Sequence, residues 1–220
     1  MRTESGEMSE KLVNGSAEIK EIGMEQPTKF DIPLASLKDV VVTDYIRENL
    51  DKVAIAEGFK NFEINVDHGS SIGDGFVGLI YKVFIKEERS DKSLTVLAKI
   101  PPQSKAKRDQ MGTVKIFERE VYMYNVLLPE FEAFQKENKI NEEIGFFNFP
   151  KVYLAEYNEE KDDAIIVMED LRESGHRMWD KFKPINYEHT KVFLTALGRF
   201  HALSFAMKAK NLEQFEKFKE

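Results

Sequence analysis

A glycine-dense segment is the first feature of the sequence that could bind a phosphate group. It reads Gly73-Asp74-Gly75-Phe76-Val77-Gly78 and has the pattern G-x-G-x-x-G. Because glycine has no Cβ, such a turn can lie close to phosphates and direct backbone N–H groups at them. A plain glycine-rich hairpin turn has the same pattern. The alternating residues that follow (VGLIYKVFIK) predict a strand, which argues against a Rossmann-type site, where a helix must follow.

A lysine and a glutamate in apolar surroundings are the second and third features. Lys99 lies in a predicted strand with apolar side chains on both faces, as expected of a central strand. Glu120 shares one face of a predicted helix with Phe117, Val121 and Tyr124. An unpaired charge is costly in either place, so we expect the two side chains to pair. The alternative is a lone lysine that extends its charge to solvent from a strand end.

The elements that must position these residues follow a mixed α+β order. We predict a helix capped by Thr43 and ended near Gly58, and a helix from about Lys105 to Leu128 with Pro129 near its end. A second short helix is predicted from Glu130, with Phe131 and Phe134 on its inner side, and a further helix from Tyr187. Alternation predicts five antiparallel strands near residues 62–66, 77–85, 94–100, 152–157 and 164–168, the last apolar enough to be central.

Composition excludes several functional classes. The chain has 220 residues with 32 Lys and Arg against 39 Asp and Glu, and this acidic balance argues against non-specific nucleic-acid binding. No cysteine is present, which excludes disulfides, thiolate metal sites and a cysteine nucleophile. The longest apolar run, residues 164–168, is too short to span a membrane. Without an apolar signal segment, we expect a cytoplasmic protein whose polar residues 1–30 form a flexible leader.

Six short motifs, in the order GDGFVG, LAK, FEREVYMY, LLP, IIVMEDL and RFHALS, resemble the ecdysteroid-kinase-like family. Its members are choline-kinase-like small-molecule kinases, related to aminoglycoside phosphotransferases. The resemblance runs from about Thr43 to Met207. It implies a protein-kinase-like fold, in which residues 31–171 form a nucleotide-binding N-lobe with a five-stranded antiparallel sheet and one αC-type helix. Residues 172–220 would then begin a helical C-lobe that is incomplete in this chain.

The resemblance also implies residues that bind ATP and magnesium. Residues 73–78 resemble the loop over the ATP phosphates, Lys99 matches the lysine that holds the α and β phosphates, and Glu120 matches its ion-pair partner. The segment Met168-Glu169-Asp170-Leu171 resembles the hinge whose backbone bonds adenine. His201, in the motif Arg199-Phe200-His201-Ala202, lies on the predicted buried side of its helix, and we expect a core histidine rather than a catalytic one.

The catalytic motifs of the family are not found in these residues. In the family, the aspartate of an H-G-D-x-x-x-x-N loop orients the acceptor hydroxyl, and a D-F-[GQ]-like motif holds magnesium. None of the four histidines begins H-x-D, and no Asp-Phe dipeptide occurs. We therefore expect weak ATP binding without phosphoryl transfer.

Three interpretations follow from this pattern. In the first, the chain is the N-terminal part of a kinase acting on a hydroxyl group, with a steroid alcohol as the acceptor by analogy with the family. The second is a non-catalytic pseudokinase-type module that binds nucleotide or a partner. The third is an acidic interaction protein in which the motifs are incidental, and six motifs in order argue against it.

The predicted C-terminal helix carries an apolar stripe for which the upstream sequence offers few partners, chiefly the hinge region and a stretch around Trp179 and Phe182. Exposure of such a stripe predicts self-association or poor solubility. Its members are Phe193, Leu197, Phe200, Leu203 and Met207.

Overall fold

The structure is a computed structural model that describes residues 40–70, 77–180 and 182–218. The predicted leader and residues Gly73, Asp74, Gly75 and Phe76 lie outside the described residues. The elements are α1 (Asp44–Ala56), β1 (Phe62–His68), β2 (Leu79–Glu87), β3 (Ser93–Ile100), α2 (Lys105–Met111), α3 (Thr113–Tyr122), a π-helical turn (Met123–Leu127), α4 (Leu128–Glu137), β4 (Val152–Asn158), β5 (Asp163–Glu169), α5 (Tyr187–Lys210) and α6 (Leu212–Glu216). The mixed α+β order is the predicted one.

The five strands form one antiparallel sheet in the order β1-β2-β3-β5-β4. Both β3 and β5 have neighbours on either side, which confirms that they are central strands. The register places Lys99 of β3 opposite Ile80 of β2 and Ile166 of β5. Because paired residues point to the same face of a sheet, Lys99 shares its face with both isoleucines.

Helix α1 covers one face of the sheet. The Thr43 hydroxyl accepts a hydrogen bond from the Ile46 backbone N–H at 3.3 Å, and Gly58 adopts a φ of 77°, so both helix ends form where the sequence predicts. The buried core on this face is mainly aliphatic, and its burial is the main stabilising contribution on this side. It includes Ile46, Leu50, Val53, Val83, Ile85, Val96, Ala98, Ile100, Ile165 and Val167.

Helix α3 packs on the opposite face, against β4 and β5. Phe117 is fully buried there with Ala164 and Ile166. On the half of this face formed by β2 and β3, the side chains of Ile80 and Leu97 stay partly exposed. We call this half the open half-face, and Lys99 lies on it.

The helical region after β3 differs from the prediction in two ways. Gly112, in the left-handed conformation at a φ of 58°, separates α2 from α3. The helix also continues through Pro129 into the segment predicted as a second helix, so that helix is confirmed but the predicted break before it is wrong. In the π-helical turn, the Leu128 N–H donates to the carbonyl of Met123, five residues earlier. Because the ring of a proline crowds the preceding turn of a regular α-helix, this wider turn gives Pro129 the room it needs.

Helix α5 buries only the C-terminal part of its apolar stripe. Leu203 and Met207 are 5% and 0% exposed and pack with Phe131 and Phe134 of α4. Phe193, by contrast, is 64% exposed. The expectation that upstream residues offer few partners is therefore wrong for the second half of α5. Helix α4 is the partner that sequence reasoning did not assign to it.

Two glycines give opposite predictions for substitution by alanine. A Cβ on Gly78 would lie 2.6 Å from the Ile100 carbonyl oxygen and 3.1 Å from Cζ of Phe117. Gly78→Ala should therefore lower the free energy of unfolding by about 1–3 kcal/mol. A Cβ on Gly198, in α5, would meet nothing within 4 Å, and Gly198→Ala should raise it by about 0.5–1 kcal/mol. Urea unfolding followed by circular dichroism measures both, and a neutral Gly78→Ala would contradict the close packing.

Candidate functional site

Lys99 and Glu120 form the predicted ion pair. The Lys99 Nζ lies 2.8 Å from Oε1 and 2.6 Å from Oε2 of Glu120. Both side chains are about a quarter exposed, at 24% and 23%. The ammonium also lies 5.5 Å from the centroid of the Phe117 ring, within the range of a cation–π contact. Since a lysine ammonium has three N–H donors, this pairing leaves one for a further anion.

The local structure explains why this pair forms. Lys99 is held between Ile80 and Ile166 in the centre of the sheet. Glu120 lies one helical turn after Phe117, whose buried ring anchors α3 to the sheet. The anchored helix therefore directs the carboxylate at the lysine.

The described end of the glycine-rich segment lies beside this pair. Val77 is partly exposed and Gly78 is buried, and Ile80, two residues later, pairs with Lys99. The close approach of Gly78 to the Ile100 carbonyl oxygen and to Phe117 favours a glycine whether or not a ligand binds. The phosphate-binding role of residues 73–78 remains a prediction.

The predicted hinge residues follow β5 directly. Met168 lies opposite Leu97 of β3 and packs partly against the Phe117 cluster. The Glu169 N–H donates to the Lys151 carbonyl at 2.9 Å. The Leu171 carbonyl accepts from the Ser174 and His176 N–H groups. The Glu169 N–H is thus already paired within the protein. Hydrogen bonding to adenine remains a prediction for the other backbone groups of this segment.

Asp170 is a buried charge whose partners sequence reasoning did not identify. Its side chain is 0% exposed and accepts hydrogen bonds from Nε and Nη2 of Arg172, each at 2.7 Å. The Arg172 Nη1 donates to the Gly69 carbonyl at 2.8 Å. The Lys82 Nζ lies 3.6 Å from Oδ2 of Asp170 and 2.8 Å from Glu173. The sequence did offer a signal for the ion pair, because an acid follows a central strand and an arginine comes two positions later. Nothing in the sequence indicated the contact with Gly69, which is 103 positions from Arg172.

This arrangement favours the charged forms of both main partners. The Arg172 guanidinium, by hydrogen bonding, lowers the pKa of Asp170 against the opposing effect of burial, and Lys82 acts in the same direction as Arg172. Asp170 in turn raises the pKa of Arg172. The pair is therefore ionised at neutral pH.

The RFHA motif has a structural part in the fold. The Arg199 guanidinium donates to the carbonyls of Glu143 and Gly145, at 2.5 and 3.4 Å, and so ties α5 to the loop after α4. His201 is exposed. The expectation of a core histidine is wrong because α5 packs through the side of the helix that carries Leu203 and Met207.

A groove of about 420 Å³ lies beside the first part of α5, facing the helix from α3 to α4 and the loop after α4. Its walls are mostly aromatic and aliphatic, and Glu120, which pairs with Lys99, is one of the residues that line it. The lining residues are Glu120, Met123, Tyr124, Leu128, Phe146, Asn148, Phe149, Phe193, Ala196, Leu197 and Phe200.

Neither a metal centre nor a membrane span is found in the described part of the chain. Over residues 40–70, 77–180 and 182–218, no three His, Cys, Asp or Glu side chains are grouped to hold a metal ion. In the same ranges, no helix combines the length and apolar character needed to cross a bilayer. The magnesium implied by the family resemblance has no ligand cluster among these residues.

A five-stranded antiparallel sheet whose central lysine pairs with a glutamate of an adjacent helix is the arrangement of a kinase-like N-lobe. The sequence matches the model of the ecdysteroid kinase-like family over residues 72–220, and the chain belongs to this family. The family is one of kinase-like small-molecule phosphotransferases. No curated protein and no solved structure matches the chain.

The Asp170 pair predicts a specific pH dependence of stability. Because folding lowers the pKa of Asp170, its charged form contributes stability above the unfolded pKa of about 4, and this is lost as pH falls through the lower folded-state pKa. Asp170→Asn should therefore reduce stability most at neutral pH and flatten its decline below about pH 4. Urea unfolding between about pH 2 and pH 7 measures this.

Asp51→Asn is the matched control, because Asp51 forms an exposed ion pair with Arg47 at 3.7 Å. Its effect should be within about 0.5 kcal/mol at any pH. A wild-type pH slope in the Asp170→Asn protein would contradict the assignment.

Proposed function

We propose that this chain binds ATP on the open half-face, as the nucleotide lobe of a small-molecule kinase that phosphorylates a hydroxyl group. The observation that carries the proposal is the Lys99–Glu120 ion pair, in which the ammonium keeps one donor for a phosphate oxygen. A steroid alcohol is the acceptor that family analogy favours. The absence of cysteine agrees with a cytoplasmic location.

The residues around Lys99 fit the two parts of a nucleotide. Ile80, Leu97 and Met168 share the face of Lys99 through the cross-strand register and offer an apolar surface to a base. Lys99 would hold the phosphates, and we propose that the glycine-rich segment 73–78 binds them as well. Bound ATP would supply the transferable phosphoryl group, and the part of this chain is to bind and orient it.

We propose that these residues by themselves do not transfer the phosphoryl group. The sequence contains no H-x-D and no Asp-Phe pattern, and the described residues hold no group of ligands for magnesium. Because magnesium neutralises charge on the phosphates, ATP binding should be weak without metal ligands.

A pseudokinase-type binding module is the second candidate. The burial of Leu203 and Met207 against α4 favours it, since the chain itself covers that part of the α5 stripe. Both candidates use the same nucleotide-binding residues. They differ in whether a catalytic segment acts with this lobe.

Self-association through α5 is a further part of this proposal. In the first half of the helix, the side chains of Val192, Phe193 and Leu194 are 69%, 64% and 56% exposed. Large apolar side chains exposed in this way are typical of an interaction site. A second copy of the chain offers the same surface, which suits a symmetric dimer.

ATP binding should raise the melting temperature, and this rise should depend on Lys99. At ATP concentrations near ten times the dissociation constant, the stabilisation is about 1.4 kcal/mol. Lys99→Met should remove most of it because the phosphates lose their cation. The double variant Lys99→Met/Glu120→Gln, which leaves no unpaired charge, should behave the same. Differential scanning fluorimetry with ATP measures each shift.

The control is Lys115→Met, because Lys115 is a 74% exposed lysine of the same helix as Glu120, paired with Glu118. It should keep the full shift. An undiminished ATP shift in both Lys99 variants would overturn the phosphate assignment.

The self-association proposal predicts a concentration-dependent dimer. Sedimentation velocity over a concentration series should show it for the wild-type chain. Phe193→Ser/Leu194→Ser should be monomeric because both side chains are largely exposed and would supply the apolar contacts of the interface. Lys191→Ser, at an exposed neighbouring position, should still dimerise. A monomeric wild-type chain, or a dimer that survives the double substitution, would contradict the proposal.

A further inference from the structure

Arg172 connects two parts of the chain that are far apart in sequence. Its Nε and Nη2 atoms bind the buried Asp170 carboxylate just after β5, and its Nη1 donates to the Gly69 carbonyl just after β1. The guanidinium is planar and its donors point in fixed directions, so one side chain spans both contacts. The segment after β5 is thereby tied to the strand that leads into the glycine-rich segment.

Gly69 transmits this contact to β2. Its N–H donates to the Ile80 carbonyl at 2.8 Å. A Cβ on Gly69 would lie 2.8 Å from the carbonyl carbon of Tyr81 and 2.9 Å from the Lys82 nitrogen, so its backbone rests directly on β2. Ile80, in turn, is the cross-strand partner of Lys99. The Arg172 side chain is therefore linked, through the backbone of Gly69, to the strand position beside the lysine.

Lys82 adds a second connection between the same parts. It extends from β2, and its Nζ lies 2.8 Å from Glu173 and 3.6 Å from Asp170. Both strands that flank the glycine-rich segment are thus held by residues 170–173. The side chain of Arg172 is 44% exposed, which a purely packing role would not require.

We propose that Arg172 is a positioning residue for nucleotide binding, which sets the spacing between the segment after β5 and the strand ends that flank the glycine-rich segment. This inference rests on the proposed function, because the spacing matters to a ligand whose base lies near β5 and whose phosphates lie near Lys99. Adenosine contacts only the first of these places, whereas ATP must reach both.

The first test compares ATP and adenosine. If loss of Arg172 leaves the competent spacing populated in about a tenth of molecules, Arg172→Gln should weaken ATP binding about tenfold. Adenosine binding should change less than about twofold, since adenosine has no phosphates to place. Arg172→Lys keeps the charge but lacks the planar set of donors, so we expect it to weaken ATP binding as well. Titration calorimetry measures both ligands.

The second test needs no ligand. Hydrogen exchange followed by NMR reports the Gly69 N–H, which is bonded to the Ile80 carbonyl. Arg172→Gln should accelerate exchange of this amide while leaving the Leu50 amide in α1 unchanged. Arg177→Gln is the matched control, because the contacts of the Arg177 guanidinium within the described part of the chain are the nearby carbonyls of Arg172 and His176. It should alter neither exchange nor ATP affinity.

The outcomes separate this inference from the proposed function. If the wild-type chain binds ATP and Arg172→Gln binds it equally well, the positioning role is wrong and the proposed function stands. If the wild-type chain binds no ATP, the proposed function fails and the positioning role fails with it. An equal loss of ATP and adenosine affinity would also overturn the inference, since it would indicate a general structural role. Should Arg172→Gln fail to fold, Arg172→Lys provides the same comparisons.

Discussion

A cation on the central strand of the sheet is the constraint on which this site depends. Lys99 has strands on both sides, so its ammonium cannot be placed beyond an edge of the sheet. Its charge must be balanced locally, and α3 supplies Glu120 for this purpose. To hold that carboxylate in place, α3 must lie close to the sheet, and the buried Phe117 ring is the contact that keeps it there. A Cβ at Gly78 would lie 2.6 Å from the Ile100 carbonyl oxygen and 3.1 Å from that ring, so this position favours glycine. Glu120 balances the charge of Lys99, and the packing of Phe117 beside Gly78 keeps α3 close enough to the sheet for this pairing.

The parts of the fold that sequence predicted well are those with a strong local signal. Alternation along 94–100 and 164–168 identified two central strands because apolar residues occupied both faces. Lys99 and Glu120 could be paired in advance because each was a charge within an apolar pattern, and the cost of leaving either alone was the argument. Thr43 and Gly58 marked the ends of α1 through chemistry that acts within a few residues.

The parts that sequence did not predict depend on contacts made at a distance. The Arg172–Gly69 contact joins a side chain to a backbone carbonyl, and a carbonyl leaves no trace in residue types. Pro129 indicated a helix end by the usual rule, but the π-helical turn before it changed the local geometry. His201 was assigned to the wrong side because α5 is apolar on more than one side, and only the position of α4 decides which side is buried.

The π-helical turn has a mechanical consequence for the molecule. One additional residue in a helical turn advances the following side chains by about 100° around the axis. Phe117, before the turn, packs on the sheet, whereas Phe131 and Phe134, after it, pack with α5. The helix from α3 to α4 therefore contacts the sheet through one side and α5 through another. Because Phe117 and Phe131 lie on one continuous helix, a substitution that displaces this helix from the sheet would also disturb its packing with α5.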